Sequence, residues 1–290
     1  MIQQETARRQ LPRRVRRGAY LLPSLITIGN ILLGFYAIVL GLRQAGLFLR
    51  DPDAQGLRAG FDIAALLVFT AAILDTLDGK LARALGTESE FGKEYDSLAD
   101  VFTFGAVPAL LTYLWGLSEW GRVGWLVPFF YLVCTATRLA RFNVQHKVVD
   151  ARYFVGLPTP AAAGSVCSIL FFAPHSEWRT WMQLLALVAT MLIGALMVST
   201  FRYRSLKGLD LRKRWSYRAF VPIAAVILVL AFEPRATFLA ITWLYTVSGP
   251  LVYLWGKLRP RGPRDGDSTL PPQPPPPSSD SGLSDLEVQR

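Results

Sequence analysis

Apolar runs separated by short, mostly basic connections organise this chain. Eight runs carry the pattern, at 20–42, 61–85, 93–117, 123–144, 158–175, 180–201, 219–232 and 236–256. Most of them approach the roughly 20 residues that a helix needs to cross a bilayer. Inside lipid, backbone polar groups must be satisfied within their own segment, so these runs predict helices. The seventh run is short and makes a hairpin with the eighth across Glu233-Pro234-Arg235. A tilted, re-entrant or partly interfacial placement stays open for it. The expected fold class is an all-α integral membrane protein, a polytopic bundle of about eight transmembrane helices. A water-soluble domain of this length would have no use for so many such runs.

Lysine and arginine fall unevenly between the runs. With both termini on one side, 25 of the 31 basic residues lie on that side and 6 on the other. Basic residues accumulate on the cytoplasmic face, so both termini and the 2–3, 4–5 and 6–7 connections are expected there. The expected location is the cell (inner, cytoplasmic) membrane. The net charge of +10 then belongs to surfaces facing anionic lipid, and no nucleic-acid partner is expected. Residues 1–19 are expected to lie on the cytoplasmic leaflet as a basic juxtamembrane segment. Residues 258–290, rich in proline, serine and aspartate, are expected to be disordered with polyproline II character. Cys134 and Cys167 sit in apolar runs without a spaced framework, so neither a disulfide nor a cysteine metal site is expected. From the polar, basic opening residues, no cleavable signal is expected.

One junction breaks the apolar pattern with chemistry. The stretch LDTLDGKLARALGTESEFGKEYDSLAD ends the second run and begins the third. Asp75 and Asp78 are three apart, and Asp96 and Asp100 four apart. Either spacing puts both side chains on one helix face. A short link through Gly86 and Gly92 makes the two helices antiparallel neighbours, so the two carboxylate faces converge. Four carboxylates at a membrane edge need a partner. Hard divalent cations take oxygen ligands, and two of them about 3.5–4 Å apart suit such a cluster. Gly79 and Ala82 are small enough for a ligand to approach the backbone. Arg83, one turn beyond Gly79, offers a bidentate fork to phosphate. Together these residues describe a pyrophosphate-bearing ligand held by metal at the membrane surface.

These residues carry a resemblance. Asp75-x2-Asp78-Gly79-x2-Ala82-Arg83-x8-Gly92-x3-Asp96-x3-Asp100 resembles, without departure, the motif of the CDP-alcohol phosphatidyltransferase family. The resemblance implies a core of six spans, here extended by two, and a homodimer. It implies a CDP-linked lipid donor, a divalent metal (Mg2+ or Mn2+) on Asp75, Asp78, Asp96 and Asp100, and CMP as leaving group. It also implies Asp100 as general base. LPSLITIGNILLGF at 22–35, RLARFN at 138–143, GLPTPAAAG at 156–164 and LMVSTFRYRSLK at 196–207 resemble the bacterial branch that transfers a phosphatidyl group from CDP-diacylglycerol to L-serine. Ser24 and Thr200 stand where that branch usually has Asn. The expected organisation is a basic segment at 1–19, the family core at 20–207, a basic loop with two further helices at 208–257 and a tail at 258–290.

On this reading Thr27, Asn30, Gly79, Ala82, Arg83 and Gly92 bind CDP-diacylglycerol. Thr27 and Asn30 are alternatively polar helix-packing residues. Arg138 and Arg141, three apart at the end of the fourth run, bind the acceptor or are ordinary cytoplasmic arginines. Two alternatives stay open: the same chemistry with glycerol 3-phosphate, inositol or its phosphate, or choline as acceptor, and a non-catalytic membrane transporter.

Overall fold

A computed structural model of the chain describes residues 13–50, 59–86, 89–145, 153–173, 179–204, 224 and 228–258. Eight α-helices dominate them: α1 (Arg13–Arg50), α2 (Ala59–Leu85), α3 (Glu90–Asp100), α4 (Val107–Trp115), α5 (Gly121–Gln145), α6 (Thr159–Phe172), α7 (Arg179–Val198) and α8 (Pro234–Leu258). A π-helical segment, Val101–Ala106, joins α3 to α4 without a break, and a short 3-10 turn, Leu117–Trp120, leads into α5. The described residues up to Tyr253 make one compact unit. Residues 254–290 make a second, of which only the last turn of α8 is described.

Six stretches are long and apolar enough to span a membrane: Leu25–Gly46, Gly60–Leu81, Glu90–Trp115, Leu117–Val144, Thr180–Val198 and Pro234–Trp255. They match six of the eight expected spans, and the chain is a multi-pass helical membrane protein. The expected fifth span is a helix of only 14 residues, α6. At 1.5 Å per residue it reaches about 21 Å, less than the hydrocarbon thickness of about 30 Å. Of the expected seventh span, residues 228–232 are helical and most of the rest lies outside the described residues, as does the tail from 259.

From Arg13 onward the basic juxtamembrane residues run in one helix with the first span. One feature departs from expectation. An all-helical chain acquires a short antiparallel ribbon, β1 (Tyr153–Val155) with β2 (Arg202–Arg204), in register Phe154 to Tyr203. The ribbon ties the connection before α6 to the one after α7. Gly156, at φ +80°, donates its N–H to the Phe201 carbonyl at 2.8 Å. Tyr203 is fully buried, and its hydroxyl donates to the Thr246 carbonyl at 3.0 Å. Burial pushes that phenol up to about 12, so it stays a donor.

The burial pattern suits lipid. Small residues fill the interior, among them Ala37, Ala64, Ala65, Ala71, Ala162, Ala163, Ala186 and Ala189. Large apolar residues such as Leu32, Ile73, Phe129, Met191 and Leu244 face outward. Membrane helices associate through such small-residue contacts and interhelical hydrogen bonds, because lipid supplies no hydrophobic drive between them. The α6–α8 seam is an example. Ser165 Oγ and Thr246 Oγ1 lie 2.7 Å apart, and Thr242 Oγ1 donates to Ser168 Oγ at 3.1 Å. Bonds of this kind contribute about 0.6 kcal/mol each on average.

Candidate active site

The end of α2, the start of α3 and the first third of the span in α1 build one acidic site. α2 closes at Gly86, whose φ of +63° is the left-handed turn that glycine adopts without cost. Ser89 then caps α3, accepting the Gly92 N–H at 3.0 Å. This tight reversal sets the acidic faces of the two helices together.

Asp75, Asp78 and Asp96 each offer a carboxylate oxygen, and the three oxygens all lie within 4.8 Å of one another. Asp78 is buried and the other two half-buried. At that separation each ionised pair repels by about 3–4 kcal/mol for an effective dielectric near 20. A bound cation offsets this. Two oxygens on one Mg2+-sized ion lie up to about 4.2 Å apart, and on a larger ion about 5 Å, so the donor set fits a metal with little movement. The cluster is therefore competent to hold a metal ion.

Asp100 ends α3 and lies outside that group of three. It remains within the electrostatic field of Asp75, Asp96 and Asp78, and of Arg138 with the opposite sign. The four expected aspartates are thus gathered, with one set apart from the tight trio.

The remaining expected residues divide. Thr27, buried on α1, donates from Oγ1 to Asp78 Oδ2 at 3.3 Å. Asn30, one turn on, is also buried; its Oδ1 has no hydrogen-bond partner among the described residues. An orphaned buried acceptor beside the acidic cluster suits a polar ligand. A Cβ at Gly79 would meet nothing within 4 Å among the described residues. Gly92 has a local reason, since a Cβ there would come to 3.0 Å from the capping Ser89 Oγ. Ala82 and Arg83 fall in the last turns of α2, and their side chains lie outside the described residues.

Arg138 and Arg141 have different surroundings. Arg138 is buried, reaches only Thr159 Oγ1 at 3.5 Å, and leaves Nε without a partner among the described residues. Arg141 is half-exposed and donates to the Val198 carbonyl at 3.4 Å, a favourable place for a cation at the end of α7.

Sequence reasoning missed three contributors. Thr103 donates to the Asn30 carbonyl at 3.4 Å, joining the π segment to α1. Tyr131 donates to the Phe104 carbonyl at 2.8 Å. Pro108, in an otherwise helical run, was the available signal for an irregularity there. Tyr245 of α8 lies within electrostatic reach of Arg138, and nothing local in the sequence marks it.

Comparison with known proteins agrees with this geometry. A family model described as CDP-alcohol phosphatidyltransferase matches residues 20–193. The chain is similar to a Helicobacter pylori protein named CDP-diacylglycerol–serine O-phosphatidyltransferase, 33% identical over 239 residues, 81% of this chain and 92% of that one. A Bacillus subtilis protein of the same name is 32% identical over 186 residues, covering 64% of this chain and 91% of its own. A Mycobacterium tuberculosis protein of that name is 41% identical over 164 residues, 54% of this chain and 52% of its own. With more than half of its length matched and the acidic motif folded into one cluster, the chain belongs to the CDP-alcohol phosphatidyltransferase family.

Proposed function

We propose that this protein transfers a phosphatidyl group from CDP-diacylglycerol to the hydroxyl of L-serine, releasing phosphatidylserine and CMP. The observation that carries the reading is the convergence of Asp75, Asp78 and Asp96 at the end of two apolar helices, in a chain similar over most of its length to enzymes named for that reaction. The donor's acyl chains lie in the bilayer and its nucleotide beside the acidic cluster. A divalent metal, Mg2+ or Mn2+, on Asp75, Asp78, Asp96 and Asp100 would supply charge neutralisation for the pyrophosphate. Thr27 holds Asp78 in orientation. Asn30, Gly79, Ala82, Arg83 and Gly92 form the donor's seat, with Gly79 giving close approach to the helix backbone. Asp100, set apart from the trio, takes the proton of the serine hydroxyl as it attacks the β-phosphorus. Arg138, buried and under-satisfied, binds the serine carboxylate, and Arg141 supports that side of the cavity.

The organisation proposed with it is a family core at 20–207, flanked by the basic segment 1–19, the region 208–257 and the tail 258–290. Both termini and the site face the cytoplasm, as the 25 to 6 division of basic residues supports. The protein works as a homodimer in the inner membrane.

The test is a transfer assay on purified protein in liposomes, with CDP-diacylglycerol, labelled L-serine and Mg2+ or Mn2+. Glycerol 3-phosphate and inositol run in parallel. Label entering lipid from serine alone, with CMP released, is the expected result. Transfer only to another alcohol overturns the acceptor, and no CMP with any acceptor overturns the reaction. Asp100→Asn is expected to abolish turnover with the fold intact, a loss of about 10²–10⁴-fold for a missing general base. Near-normal activity would remove Asp100 from that role.

A further inference from the structure

The helix that carries Asp96 and Asp100 does not run straight into the bundle. Between it and α4 lies the π-helical turn Val101–Ala106, in which the Val107 N–H bonds back to the Phe102 carbonyl, five residues away. The cause is in the sequence. The residue four beyond Phe104 is Pro108, which has no N–H, so the ordinary helical bond to the Phe104 carbonyl cannot form. The proline ring also crowds that carbonyl. The helix widens, as single π turns do, and the carbonyl needs another donor. Tyr131 of α5 supplies it. Its side chain is fully buried, and its hydroxyl meets the Phe104 oxygen at 2.8 Å.

The turn is held from both sides. On the α1 side, Thr103 bonds to the Asn30 carbonyl, and Gly34 faces Val107 and Thr103 so closely that a Cβ would come to 3.1–3.3 Å. On the α5 side, a Cβ at Gly105 would come to 3.1–3.3 Å from Leu132 and Thr135. α4 beyond the turn is locked in the core through Val107 and Leu111, both fully buried. The widened turn therefore sets the rotation of α3 against a fixed α4. It accommodates about one residue more than a regular helix, or about 100° of rotation. As built, Leu98 points outward and Ala99 inward, with Asp96 and Asp100 on the inner side.

We propose that Tyr131 is a positioning residue for the metal site: with Pro108 it fixes the π turn that aims Asp96 and Asp100 at Asp75 and Asp78. Nothing in the chemistry of the site itself requires a tyrosine 27 residues beyond Phe104. The inference rests on the metal reading of the acidic cluster.

The test measures Mn2+ binding directly, by electron paramagnetic resonance or calorimetry on the purified full-length protein in detergent, alongside turnover. Tyr131→Phe removes one hydroxyl and keeps the ring. It is expected to weaken Mn2+ binding about tenfold and lower kcat by 10- to 100-fold, the range for groups that orient metal ligands. The KM for L-serine should not move. Tyr203→Phe is the control. It deletes the same kind of buried hydroxyl-to-carbonyl bond, at Thr246 of α8, and should leave Mn2+ binding unchanged. Pro108→Ala, which returns an N–H to the Phe104 carbonyl and suits a helix, should reproduce the loss of Mn2+ affinity even if Tyr131→Phe fails to fold. Wild-type Mn2+ affinity in Tyr131→Phe or in Pro108→Ala overturns the inference, as does an equal loss in Tyr203→Phe. Absence of Mn2+ binding in the wild-type protein would instead overturn the metal reading itself.

Discussion

The two ends of α2 carry aspartates under opposite arrangements. Near its start, Asp62 meets Arg235 of α8 with Nη2 2.6 Å from Oδ2, and the same guanidinium lies 5.8 Å from the Phe171 ring. Near its end, Asp75 and Asp78 face another carboxylate, Asp96. The first end lowers its own electrostatic energy with a cation from the chain. The second accumulates negative charge and holds it in place with Thr27 on Asp78. One helix thus ties one acid to a cation of the bundle and gathers two more beside a third carboxylate. Opposite charges brought together hold the bundle; like charges brought together are competent to hold a metal ion.

Substitutions at each end test this contrast. The largest effect is expected from Asp78→Asn, which should lower turnover by about 10³-fold or more by removing an electrostatic anchor of the site. Its melting temperature in chelator should rise above that of wild type, because one of three mutually repelling charges is gone. A fall in stability would mean that the trio is not under repulsion. Asp62→Asn should do the reverse. Activity stays within about twofold, while stability drops by roughly 1–3 kcal/mol because Arg235 loses its counter-charge in a partly buried setting. Thermal unfolding in detergent reads both variants side by side. Gly79→Ala sharpens the contrast within the active end. A methyl group there meets nothing within 4 Å among the described residues. Stability should therefore hold or improve by up to about 1 kcal/mol from helix propensity, while the KM for CDP-diacylglycerol rises several-fold. An unchanged KM would remove Gly79 from the donor's seat. The smallest effect belongs to Thr246→Val, which breaks the contact with Ser165 and should cost about 0.6 kcal/mol without touching catalysis.

How far these arrangements were legible in sequence depends on range. Asp75 with Asp78 and Asp96 with Asp100 could be paired by helical spacing, and Gly86 with Ser89 by the chemistry of helix ends. The convergence of both pairs followed from the shortness of the link. The Thr27–Asp78 bond spans 51 positions and needed α1 and α2 to be known as neighbours. The six long spans were visible because lipid enforces long apolar helices. The ribbon was not, since three-residue strands are too short to show a two-residue period. The π turn was also hidden: its residues are apolar apart from Thr103, and only Pro108 marked it. The opposed fates of Arg138 and Arg141 could not be separated, because both sit at helical spacing near the end of one helix and differ only in what packs over them.

α6 is the one apolar helix among those described that is too short to cross the hydrocarbon layer, at about 21 Å against about 30 Å. Its residues 162–171 are all buried, so along that length it meets other helices of the bundle and not lipid. Thr159 at its start is buried too and receives Arg138 of α5, so that end of the helix closes on side chains of the bundle. The bundle and not the bilayer therefore supplies its surroundings. Turnover in defined vesicles should accordingly not fall on account of α6 as acyl chains lengthen, so an enzyme that supplies membrane lipid keeps its shortest apolar helix insulated from the membrane's thickness.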